Sequence, residues 1–161
     1  EGKYVQALNL IGIEQLESDT SLATEVKAVS LKSLNEPKRA LEHYEVLYKQ
    51  KRTVSLAYEL ADLKIQTGDI SGASLNITYG IANVTEDMMK PYYETQTPYQ
   101  VPALAGFLYL KAIAKYRENS ETNHEASISI LNEALELAPN FNMANLALDA
   151  IRAQKEVQKT E

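Results

Sequence analysis

The sequence has no cysteine and no tryptophan, and it holds only two histidines and two phenylalanines. Without cysteine there is no disulfide scaffold, no thiolate zinc site and no cysteine nucleophile. Basic residues are the minority, 16 Lys and Arg against 22 Asp and Glu, and the net charge of −6 argues against a general nucleic-acid binder. No run reaches the roughly 18 consecutive apolar residues of a membrane span. The longest apolar segment, from Val101 to Ala114, is broken by Pro102, Gly106 and Lys111. The first residues, Glu1-Gly2-Lys3-Tyr4, lack the basic and then apolar regions of a signal peptide. A leader removed by processing is equally compatible, so the compartment stays open between cytoplasmic and exported. What is present is a 45 % apolar content in 161 residues, enough for a continuous core in one domain or one short array.

Catalytic signatures are also missing. His43 and His124 fall on distant segments, so a shared metal site is not expected, and His124-Glu125 is not followed by the second histidine of a metalloprotease helix. There is no Gly-x-Gly-x-x-Gly, no Gly-Lys-Ser/Thr phosphate loop and no Gly-x-Ser-x-Gly elbow. Glu14 with Glu17, and Glu133 with Glu136, stand at the spacing of solvated helix faces. The expectation is a protein that is not an enzyme and uses no metal or cofactor. The basic run Lys49-Gln-Lys-Arg52 reads as the end of a helix, where cations complement the dipole. Asn76-Ile-Thr78 and Asn83-Val-Thr85 match the glycosylation acceptor pattern, but both lie on an expected helix.

The positive signal is repetition. The same interval separates Ala7 from Ala40 and Ala40 from Ala73, and one turn after each stands a large side chain: Ile11, Tyr44 and Ile77. A small residue with a bulky one a turn later is what closely packed helix pairs require. Between these marks, Ala57, Leu60, Ala61 and Lys64 share one face at helical spacing. Gly68 suits the left-handed residue past a helix end, and Asp69 suits an N-cap.

Through Leu60, Ala61, Gly68, Asp69, Ile70, Ala73 and Ile77, and again through Leu131, Ala134, Leu135, Leu137, Pro139 and Asn140, the chain resembles the tetratricopeptide repeat (TPR) family. The resemblance covers about 140 of the 161 residues. It departs from the family in lacking the first-helix aromatics and in placing Gly80 where a second Ala is usual. It implies an all-α fold, an α-solenoid of antiparallel helix pairs with about three and a half repeats, over a single domain spanning 1–161. Helices are expected at 3–17, 20–34, 37–50, 53–67, 70–84, 102–117, 123–138 and 141–157. Pro37 belongs in a first turn, Thr122-x-x-Glu125 reads as a capping box, and Asn140 is placed to cap the last helix.

Two stretches break the pattern. Helix 3–17 matches the second helix of a repeat without its first, which fits either a piece of a longer array or an irregular cap. In the last unit Ser127 takes the place of Ala73, well beyond where the repeat interval would put it. Most of the excess is an insertion at 86–102 with three Pro, three Tyr and two Met. It reads either as an adaptable contact surface, through Met88, Met89, Tyr92, Tyr93 and Tyr99, or as a loop over the core with a short helix at 86–93.

The resemblance also implies a concave groove lined by the first helix of each pair. Its candidate residues are Ser55, Tyr58, Glu59, Asp62 and Gln66 on helix 53–67, with Tyr109, Lys115 and Tyr116 on helix 102–117. Some members of the family clamp C-terminal carboxylates with Lys and Asn, but Tyr58 and Asp62 stand in the matching places here. An aromatic flanked by two acids suits a basic or neutral peptide. The expected function is a non-enzymatic scaffold for a protein or peptide, with no nucleic acid. The alternative is a structural or oligomerisation module that docks or self-associates through helix 3–17.

Overall fold

The computed structural model describes residues 2–158, without the side chains of 155–158; Glu1 and 159–161 of the expected domain lie outside the described residues. Among these, eight helices and one two-stranded sheet make a mostly helical protein. The chain divides into two compact units, Glu1–Asn76 and Ile77–Glu161.

Unit 1 contains α1 (Gly2–Ile11), α2 (Ser21–Ser33), α3 (Pro37–Gln50) and α4 (Val54–Thr67). Each packs on the next in chain order. Leu8, Ala28, Leu31, Ala40, Tyr44, Leu47, Leu60 and Leu63 form the core between them. The interval between the alanines is also the interval between helix ends. Thr20 and Thr53 both cap a helix, each hydroxyl accepting the backbone N–H three residues on at 3.2 Å. Thus the starts of α2 and α4 are separated by that interval, as are the starts of α3 and α5 (Ile70–Asn83), the helix that crosses the unit boundary. Pro37 is in the first turn of α3 as expected. Gly68, at φ 91°, ends α4, with the Asp69 N–H returning to the Lys64 carbonyl at 2.9 Å. The Asp69 carboxylate then accepts the Gly72 N–H at 2.9 Å, which opens α5.

The helix expected at 3–17 stops at Ile11. Gly12 takes φ 79° and its N–H closes on the Leu8 carbonyl at 2.8 Å, so the chain turns out of the helix there. Residues 13–20 form a loop, which removes Glu14 and Glu17 from any helical face.

Unit 2 contains β1 (Met89–Tyr92), β2 (Tyr99–Pro102), α6 (Ala103–Glu118), α7 (His124–Leu137) and α8 (Asn142–Gln158). The short helix expected at 86–93 is instead a strand. Met89 pairs with Pro102 and Tyr92 with Tyr99 in an antiparallel hairpin. Pro91 would remove a hydrogen bond from a helix interior but is tolerated in a two-stranded ribbon. Half of α6 is buried, and α6 packs on α7. Gly80 is explained by Phe107, whose ring would stand 2.1 Å from any Cβ added at that position. The capping box at 122–125 does not form. α7 begins at His124, so Asn123 and not Thr122 stands at the cap position, with no side-chain cap; Thr122 lies in the preceding turn, where Asn119 accepts the Glu121 and Thr122 N–H groups. Asn140 does not cap α8, since its amide reaches the Gln100 carbonyl of β2 at 3.4 Å.

Candidate interaction face

Four residues of α4, Ser55, Glu59, Asp62 and Gln66, follow the 4-3-4 spacing that puts side chains in one row along a helix. Ser55 and Gln66 are exposed, while Glu59 and Asp62 are half-buried. The two acids meet Lys32 of α2, whose ammonium donates to Glu59 in a close ion pair and to Asp62 at 2.9 Å. Gln66 donates to the second oxygen of Asp62 at 3.0 Å. Burial pulls the Lys32 pKa down, but the Glu59 and Asp62 carboxylates outweigh it and hold the pKa above the ordinary lysine value. Beneath them Tyr44 is raised, first by burial and then by the Glu59 charge. The row thus carries two carboxylates and one amine, a local excess of one negative charge.

Tyr58 is not on this surface. It is buried, 5 % exposed, so the aromatic contact expected between the two acids is inside the protein. It stands next to Ala57 and one turn before Ala61, both fully buried, so the apolar stripe of α4 is wide enough to take it in.

The other candidates on 102–117 belong to unit 2 and are used there for packing. Tyr109 lies against Phe141 with ring centroids 5.4 Å apart. Tyr116 meets the His124 ring edge-on and donates its hydroxyl to Gln154. Lys115 is half-buried, and its carbonyl accepts the Asn123 amide at 2.9 Å. In the insertion Tyr92 stacks on Tyr99 at 5.6 Å and touches Phe141 at 4.7 Å. Burial and the Glu94 carboxylate push the Tyr99 hydroxyl up to about 12. Met88 is half-buried, which leaves Met89 and Tyr93 as the exposed members of that group.

The two histidines serve the interior. His43 bonds the Ile13 carbonyl through Nε2 at 2.8 Å and the Gln15 amide through Nδ1 at 2.6 Å. His124 donates from Nε2 to the Ile151 carbonyl at 3.1 Å. No group of three His, Asp or Glu able to hold a metal is found among the described residues. Nor is any helix among them long and apolar enough to cross a membrane.

Sequence reasoning missed Lys32, which lies 27 and 30 residues before its acids, with no local spacing to announce it. It also missed Lys27. This side chain is fully buried and donates to Asp19 at 2.6 Å and to the Glu14 carbonyl at 2.8 Å. With His43 it ties the 13–20 loop to the helices. Hydrogen bonds from Lys27 and from the Leu16 N–H hold the Asp19 carboxyl below its ordinary value.

Set beside protein-family models, curated proteins and solved structures, the chain finds no match.

Proposed function

We propose that the chain is a TPR-like helical-repeat module that binds a protein segment and catalyses no reaction. The reading rests on one observation above others: the starts of α2 and α4, and of α3 and α5, are separated by the same interval, and α4, the first helix of its pair, carries the row Ser55–Glu59–Asp62–Gln66. Such modules present their first helices to partners, and this row offers polar groups and one excess negative charge. A basic or neutral peptide in extended form is the partner it suits, with its cationic groups near Glu59 and Asp62. Lys32 holds the two carboxylates in place before the peptide arrives, which lowers the ordering cost of binding. Binding of this kind is salt-dependent, because partly exposed charges are screened.

The test is a peptide array of graded charge, probed with the wild-type chain and with the Glu59→Gln/Asp62→Asn variant. Retention of basic peptides by the wild type and its loss in the variant is the expected result. Equal retention by both removes the α4 row from the function.

A further inference from the structure

We propose that Tyr44 selects the partner of the α4 row: its hydroxyl donates a hydrogen bond to a main-chain carbonyl of the bound segment, so the site takes an internal stretch of a basic peptide and refuses a free C-terminus. This rests on the peptide-binding reading of that row. One turn after each of the recurring alanines stands a large side chain, Ile11, Tyr44 or Ile77. Isoleucine suffices at two of these three places, so packing there asks for bulk and not for a hydroxyl. Tyr44 supplies the bulk in the same way, with its ring in the core of unit 1 and the residue 5 % exposed. Yet among the described residues its hydroxyl has no hydrogen-bond partner. Nor is the oxygen sealed in: the enclosed polar atoms without a partner are His124 Nδ1 and Ser127 Oγ, both in unit 2. Tyr44 therefore holds a fixed ring inside and an unengaged hydroxyl at the surface.

The charges around that hydroxyl say what it can meet. Glu59 and Asp62 of α4, and Glu25 and Lys32 of α2, all lie within electrostatic reach of it. Lys32 is committed to Glu59 and Asp62, and Gln66 to Asp62. Burial first, and then Glu59 with Glu25 and Asp62, outweigh Lys32 and keep the phenol protonated. Toward a ligand it is thus a donor, and it calls for an acceptor. A carboxylate in that place would face three like charges with one ammonium among them. A main-chain carbonyl carries no net charge and meets no such repulsion. Along an extended segment carbonyls alternate with side chains, so a carbonyl on Tyr44 leaves a neighbouring Lys or Arg free to reach Glu59 and Asp62. The packed ring is already ordered, so placing the donor costs little on binding.

Titration calorimetry with the lysine-containing peptide best retained on the array, its C-terminus amidated, tests this on the 161-residue chain. Tyr44→Phe keeps the ring and removes the donor. It is expected to weaken binding about fivefold and to leave the salt dependence unchanged, since no charge is lost. The peptide's amide links are then replaced one at a time by esters, whose carbonyls accept more weakly. One position is expected to weaken binding to the wild type and not to Tyr44→Phe. A peptide ending in a free carboxylate at that position is expected to bind the wild type more weakly than its amidated form. Tyr44→Phe binding as tightly as the wild type overturns the proposal and leaves the α4 row in place. So do ester effects equal in both proteins, a free carboxylate bound as well as the amide, or a Tyr44→Phe denaturation midpoint well below that of the wild type. Binding that ignores Glu59→Gln/Asp62→Asn overturns instead the reading of the row, and the role of Tyr44 with it.

Discussion

Helices α2 and α4 begin on threonine caps at the interval that separates Ala40 from Ala73, and at matching positions their chemistry is inverted. Toward the core, α2 presents Lys27 where α4 presents Leu60, and both are buried. Toward the surface, α2 presents Val26 and Val29 where α4 presents Glu59 and Asp62. The two helices nevertheless begin on equivalent threonine caps, and the helices that follow them bury equivalent small residues, Ala40 and Ala73. The frame is therefore set by caps, helix ends and small contact residues, which leaves the faces free to differ. A buried lysine is tolerated in α2 because the 13–20 loop brings it a carboxylate and a carbonyl. Without them the charge would face an interior that cannot solvate it.

The most disruptive change attacks the frame itself. Leu60→Ala is expected to cost about 2–5 kcal/mol, because the side chain is almost fully buried and its removal leaves a cavity. Denaturant unfolding followed by helical circular dichroism measures it. The same method applied to Leu22→Ala, the exposed counterpart of Ser55, should show a far smaller change.

Acid breaks the α2 side selectively. Asp19 has a folded pKa below its ordinary 3.8. A lowered carboxylate pKa stabilises the fold above the unfolded value, and that contribution is lost as pH falls toward the folded one. Amides of residues 13–20 should keep their exchange protection down to about pH 4 and lose it below. In Asp19→Asn the protection should be weak at every pH. A loop equally protected at pH 2 and pH 7 would contradict the role given to the Lys27–Asp19 pair.

Removing the bridge sharpens the α4 side. Lys32→Ala leaves Glu59 and Asp62 half-buried without their shared amine, at an expected cost of about 1–3 kcal/mol. Adding Glu59→Gln to that variant should recover part of the loss, since it relieves the repulsion between the acids. The smallest effect belongs to Lys64, whose ammonium is 3.6 Å from the partly exposed Glu45. Glu45→Ala should change stability by less than about 1 kcal/mol.

Much of this frame is legible in the sequence, because it depends on local residues. Gly68 and Asp69 end and restart a helix by their own backbone and side-chain geometry, and Pro37 fixes a first turn. The α4 row is legible as a helical spacing. Gly12 is the local signal that periodicity hides, since apolar residues continue past it to Ile13 and Leu16 while the backbone has already turned. The hairpin at 89–102 is not legible as strands, because four-residue elements carry too little periodicity to separate them from a loop. Tyr58 is misplaced by sequence for a different reason. Its spacing suits the edge of a core stripe as well as a groove, and only the packed neighbours decide. Lys27 and Lys32 depend on partners from other elements, and nothing in one sequence couples Lys32 to Glu59.

Residue-resolved NMR titration of a basic peptide selected on the array is the most direct test of the central claim. The account predicts salt-sensitive shift changes in the amides and side chains of Ser55, Glu59, Asp62 and Gln66 and of Lys32 opposite them. Changes confined to unit 2, or binding that leaves the α4 row undisturbed, would contradict it.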